Sequence, residues 1–145
     1  LDGLGTTRIK GELKKGKVRN MNKSTEDNNP AFTKIGDRQY HHFIVNVPKN
    51  VKNFTVTLDC GVEGIDMNLA LNKGDFAFMK NAEYQDVSLG GKKEIKVEKL
   101  EKGTWYVAVE CATTVEEEKC DTGVRYIGRT EVLNGIPYSI KVNWK

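Results

Sequence analysis

The stretch NFTVTLDC, residues 53–60, alternates strictly between two kinds of side chain. Phe54, Val56, Leu58 and Cys60 fall on one side of an extended chain, and Thr55, Thr57 and Asp59 on the other. Successive side chains of a β-strand point to opposite faces, so a period of two makes a strand with one buried and one wet face. The pattern recurs. YHHFIVNV (40–47) stops before Pro48, and DMNLAL (66–71) follows the turn GVEG. DFAFM (75–79) is a short candidate after Lys73-Gly74, and KEIKVE (93–98) alternates again. TWYVAVEC (104–111) starts after Gly103, and IPYSIKVNW (136–144) closes the chain. No helical period competes with these runs. Short strands separated by Gly, Asn and Pro turns predict an all-β fold, an antiparallel sandwich or barrel.

The rest of the chain reads as connection. Residues 1–23, punctuated by Gly11 and Gly16, fit a linker or an arm of two short strands, which leaves 24–145 as the domain proper. STEDNNP (24–30) is a polar loop of turn formers ended by Pro30. A long polar loop is expected after Cys111, with EEEK (116–119) solvated. Lys92, Lys93, Lys96 and Lys99 are expected on solvent faces or edges, where charge discourages edge-to-edge pairing.

Composition narrows the function classes. The chain has 145 residues, 38% hydrophobic and 30% charged, enough for one domain with a core. No apolar run approaches the roughly 18 residues of a membrane helix. LDGLGTTRIK shows neither an initiator Met nor a signal-peptide pattern, so the chain reads as a mature fragment or excised domain. The net charge is +3, with the excess in residues 1–30. That is too little basic charge to predict nucleic-acid binding.

Chemistry-bearing residues are few. The cysteines are Cys60, Cys111 and Cys120, with no CxxC pair. Cys111 and Cys120 bracket ATTVEEEK, which favours a disulfide between them; a Cys60–Cys111 pair is the alternative. His41 and His42 are the only histidines, and adjacent strand residues face apart, so the pair does not read as a zinc site. One is expected exposed and the other partly packed. A Ser-His-Asp or Cys-His mechanism would have to use one of them, and no G-x-S-x-G context is present. Trp105 and Tyr138 fall on apolar parity and read as core. Tyr106 has the opposite parity and is the candidate ligand contact.

Taken in order, GDRQYHHFIVNVP, FTVTLDCG, DMNLAL, GTWYVAVE and PYSIKV resemble the bacterial pre-peptidase C-terminal domain over about residues 24–145. The resemblance implies a jelly-roll-like β-sandwich, non-catalytic, appended to a secreted protease and located outside the cell or at its surface. Related collagen-binding domains of clostridial collagenases bind calcium and fibrous substrate. In this family the D-x-D of the strand beginning at Asp66 carries two acids; here the second position is Asn68. Two oxygens cannot satisfy calcium, which takes six to eight. Asp66 and Asn68 therefore read either as partial calcium ligands or as a turn brace and an interstrand hydrogen bond. By resemblance, the better calcium candidates are Glu26, Asp27 and Asn28 in the polar loop, with Asp37 before the first family strand.

The expected function is therefore an accessory domain of a secreted bacterial protease. It would bind an extracellular protein substrate or surface, or aid stability and secretion, with calcium as cofactor and the protease catalytic domain as partner. The alternative is a carbohydrate-binding module of a glycan-degrading enzyme. A stand-alone enzyme is the more distant rival.

Overall fold

The computed structural model describes residues 9–23, 34–35, 40–60, 65–77, 82–88, 90–111, 115–120, 123–128 and 135–145; the side chains of 9, 10, 115–120 and 124–128 are left aside. Within them run eleven strands and no helix: β1 Ile9–Glu12, β2 Val18–Met21, β3 Tyr40–Val47, β4 Val51–Asp59, β5 Met67–Lys73, β6 Tyr84–Asp86, β7 Lys92–Leu100, β8 Gly103–Cys111, β9 Val115–Cys120, β10 Gly123–Gly128 and β11 Tyr138–Asn143. Nine of them form a five-stranded sheet in the order β1-β3-β8-β5-β6 and a four-stranded sheet in the order β2-β11-β4-β7, and β9 and β10 pair as a separate two-stranded sheet. All pairings in these sheets are antiparallel except β1 with β3.

The inner faces of the two sheets make one core. Phe43, Val45, Leu69, Leu71, Val107 and Val109 come from the five-stranded sheet, and Phe54, Val56, Leu58, Ile140 and Val142 from the four-stranded one. Face-to-face packing of this kind is a β-sandwich. Trp105 and Tyr138 are buried in it, as their parity predicts. The two N-terminal strands belong to opposite sheets, β1 beside β3 and β2 beside β11.

In the four-stranded sheet the alternation slips at one level, in β4 and β7 together. Val51 and Phe54 are both buried, with Lys52 and Asn53 exposed between them. Opposite, Val97 and Leu100 are buried around exposed Glu98 and Lys99. Asn53 takes a left-handed φ of 52°, which re-aims the strand. Asn tolerates this conformation better than most residues.

Four expectations are corrected. The polar stretch after Cys111 contains a hairpin, since β9 and β10 pair antiparallel from Cys120–Gly123 out to Val115–Gly128, and EEEK lies in β9. With acidic side chains on it, that strand carries no apolar alternation to betray it. Residues 75–77 of DFAFM are not strand; the short strand is β6, further on. Lys93 is buried rather than solvent-facing, because it has the inward parity of Ile95 and Val97. Its stem lies inside while its ammonium donates to Ser88 Oγ at 3.0 Å. Finally, both histidines are buried, His41 at 3% and His42 at 0% exposure. The sequence shows one apolar face on β3, but the other face is covered as well.

Candidate functional site

That covering defines a distinctive surface among the described residues. On the outer face of the five-stranded sheet, His42 sits opposite Ala108, and Ala108 opposite Ala70. These small residues leave room for the 75–77 segment to lie across the strands. Asn72 pins it, its Nδ2 donating to the carbonyls of Asp75 and Phe76 at 3.4 Å each. His42 Nε2–H donates to Ala77 O at 3.3 Å, which fixes the proton on that nitrogen. Ala70, Ala77 and Ala108 form a small second core, with Tyr40, Ala82 and Tyr106 packed against it.

The result is a continuous run of rings. Tyr40 and His42 stack at 6.1 Å, His42 meets Phe76 edge-to-face at 4.8 Å, and Phe76 meets Tyr106 edge-to-face at 5.5 Å. His42 is buried, but Tyr40, Phe76 and Tyr106 each keep part of their surface in water. Beside Tyr40 in the register stand Glu110 and then Asn68. Asn68 Nδ2 donates to Glu110 Oε1 at 2.9 Å. The face thus presents three partly exposed rings flanked by an amide–carboxylate pair, an amphipathic surface suited to side chains or sugars.

Tyr106 therefore stands on the outer face, opposite in parity to Trp105, and it is joined there by rings the sequence did not nominate. Tyr40 and His42 share its parity, which is a legible signal. Phe76 does not belong to a strand, and only the folded chain brings it over the sheet.

Asp66 and Asn68 are directed to different partners. Asp66 Oδ1 accepts from the Gly90 N–H at 2.8 Å, and Met67 N–H donates to Gly90 O at 3.1 Å. Gly90 has φ +107°, a conformation that favours glycine. Asp66 thereby ties the start of β5 to the turn before β7, while Asn68 bridges to β8. Among the described residues no three His, Cys, Asp or Glu side chains gather as a metal site. Glu26, Asp27, Asn28 and Asp37 lie outside the described residues. The flanks of the first segment are joined, Lys34 N–H donating to Lys23 O at 2.9 Å, and Ile35 bridges to Ile136. Cys60 and Cys111 are both buried; the side chain of Cys120 lies outside the described set, and with it the proposed pairing.

A second surface feature is a shallow groove of about 580 Å³ on the outer face of the four-stranded sheet, lined among others by Thr57, Asp59, Lys92, Glu94 and Lys141. Its charges are mixed.

Among solved structures, the chain is similar to the pre-peptidase C-terminal domain of a collagenase from Bacillus anthracis, at 17% identity and a TM-score of 0.50, covering 94% of each chain. What the two share is the β-sandwich fold. The chain is also similar to PliG, a periplasmic inhibitor of g-type lysozyme from Aeromonas hydrophila, at 11% identity and a TM-score of 0.47, over 97% of this chain and 100% of that one. No sequence-family profile and no curated protein sequence matches the chain. Among the described residues no helix is long and apolar enough to cross a membrane.

Proposed function

We propose that the chain is a non-catalytic accessory domain of a secreted protease, and that it binds a protein substrate through the aromatic face of its five-stranded sheet. The observation that carries this reading is the run Tyr40–His42–Phe76–Tyr106, three of whose rings are partly exposed. The β-sandwich fold, shared with the pre-peptidase C-terminal domain of a collagenase, supports attachment to a peptidase and an extracellular location.

The buried histidines support the absence of catalysis. His41 shares a hydrogen bond of 2.6 Å with Tyr138, and His42 is held under Phe76 and Ala77. Neither is placed to exchange protons with a substrate. Ring geometry favours protein over glycan. A flat row of sugar rings is met best by coplanar aromatics, whereas the partly exposed Phe76 is turned 62° from the partly exposed Tyr106. Calcium bound by Glu26, Asp27, Asn28 and Asp37 belongs to the same proposal, as a brace for the part of the chain that precedes Tyr40 in sequence.

Co-sedimentation tests it. The isolated chain is expected to pellet with insoluble fibrous protein such as collagen and not with cellulose or chitin. Tyr106→Ala is expected to weaken binding roughly tenfold or more, the loss of an anchoring ring. Retention on polysaccharide alone, or hydrolysis of peptide substrates by the isolated chain, would contradict the proposal.

A further inference from the structure

Away from the aromatic face, the β3–β4 and β7–β8 turns stand side by side, since Val51 is opposite Leu100. Between them runs a groove of about 510 Å³ rimmed by Lys49, Lys52, Lys99 and Lys102, with Val51 and Leu100 on its floor. All four lysines are exposed. The break in alternation described above puts Lys52 and Lys99 on the solvent side, and they are direct register partners. Like charges directly opposite each other on neighbouring strands destabilise a sheet. Lys99 stands on β7, an edge strand where a charge discourages edge-to-edge pairing, but Lys52 stands on β4, inside the sheet, where that reason does not apply.

Among the described residues no carboxylate lies within 4.0 Å of any of the four ammonium groups. The one acid lining the groove, Glu101, is engaged by Lys73 at 2.9 Å. A left-handed turn at Asn50, φ 62°, sets Lys49 beside the strand ends.

We propose that this groove is a second binding site, one that takes a linear acidic glycan bearing carboxylate or sulfate groups. An anion between Lys52 and Lys99 turns a repulsion into two attractions. Lysine ammoniums are point charges on flexible stems, suited to anionic groups spaced along a chain rather than to the bidentate forks that arginine makes. No aromatic ring lines the groove, so the stacking platform of single-stranded nucleic acid is missing. The floor is apolar but recessed, which does not suit insertion into a membrane. This site is independent of the aromatic face.

The test is titration of the full chain with heparin and with polygalacturonate, at low and raised salt. Salt-sensitive binding is expected. Lys52→Glu and Lys99→Glu are each expected to weaken it roughly tenfold, while Lys17→Glu and Lys23→Glu, exposed lysines elsewhere with the same change in net charge, leave it nearly intact. A second readout separates site loss from misfolding. Lys52→Glu creates an opposite-charge pair with Lys99, so its melting temperature is expected to hold or rise as glycan binding falls. The proposal is overturned if neither glycan binds, or if the control reversals lose as much affinity. It is equally overturned if a single-stranded oligonucleotide or polyglutamate binds as tightly as the glycans.

Discussion

Tyr138 carries a hydroxyl into an apolar core, where it meets His41 Nδ1 at 2.6 Å. Burial pushes its phenol well above the ordinary value of 10.0, against an opposing pull from Arg19, so the hydroxyl stays protonated. Tyr138→Phe keeps the ring and removes the partner of a buried imidazole nitrogen. It is expected to cost about 1–3 kcal/mol in denaturant unfolding. Gly91 shows a different constraint at the same scale. A Cβ there would lie 2.8 Å from Cys60 Cβ and 3.3 Å from the carbonyls of Cys60 and Ile65. Its own carbonyl accepts from Cys60 N–H at 2.8 Å, so it cannot back away without loosening the end of β4. Gly91→Ala is expected to lower stability by about 1–3 kcal/mol, the range of overpacked sites, measured by the same unfolding experiment.

Beside the Asp66–Gly90 tie, the two sheets meet at the sandwich edge through a clasp centred on Asp86. Asp86 belongs to β6 in the five-stranded sheet, yet its Oδ2 accepts from the Glu94 N–H of β7 in the other sheet at 3.1 Å. Ser88 Oγ donates to Asp86 Oδ1 at 2.6 Å, and Lys93 in turn donates to Ser88. Burial pushes the Asp86 carboxyl up, but the hydrogen bonds from Ser88 and Glu94 and the nearby Lys93 ammonium outweigh it and hold it below its ordinary 3.8. A carboxyl depressed in the folded state adds stability above its unfolded pKa and loses it as pH falls through the folded value. The stability gap between the wild type and Asp86→Asn is therefore expected to be full at neutral pH, roughly 0.5–1.5 kcal/mol, and to close as the pH drops below 3.8. A gap unchanged in acid would mean the clasp is not ionic. None of this clasp is legible in the sequence, because it joins residues by an edge contact that no periodicity encodes. The strands with one apolar face are a different matter. β3, β4, β5, β7, β8 and β11 lie close to their sequence-predicted spans, since alternation reports burial directly. It fails at β9, whose acids mask it, and at Lys93 and His42, where a polar residue is buried by partners far along the chain. The candidate site divides likewise: Tyr106 is read from parity, Phe76 only from the fold.

For the whole molecule, two claims concern what the sandwich holds. If calcium is held by Glu26, Asp27, Asn28 and Asp37, excess calcium raises the unfolding midpoint over chelator, by roughly 2.7 kcal/mol of stability at about 100 times the dissociation constant. Asp27→Ala or Asp37→Ala then abolishes that rise, and equal midpoints with and without calcium would remove the metal from the account. The central claim is that the aromatic face receives a protein substrate. It is tested most directly by following backbone amide resonances of the chain while a soluble triple-helical peptide is titrated in. The account predicts shifts concentrated at Tyr40, Phe76, Tyr106 and Glu110, and their loss in Tyr106→Ala. Shifts concentrated instead around Thr57, Asp59 and Lys141, on the outer face of the four-stranded sheet, would contradict it.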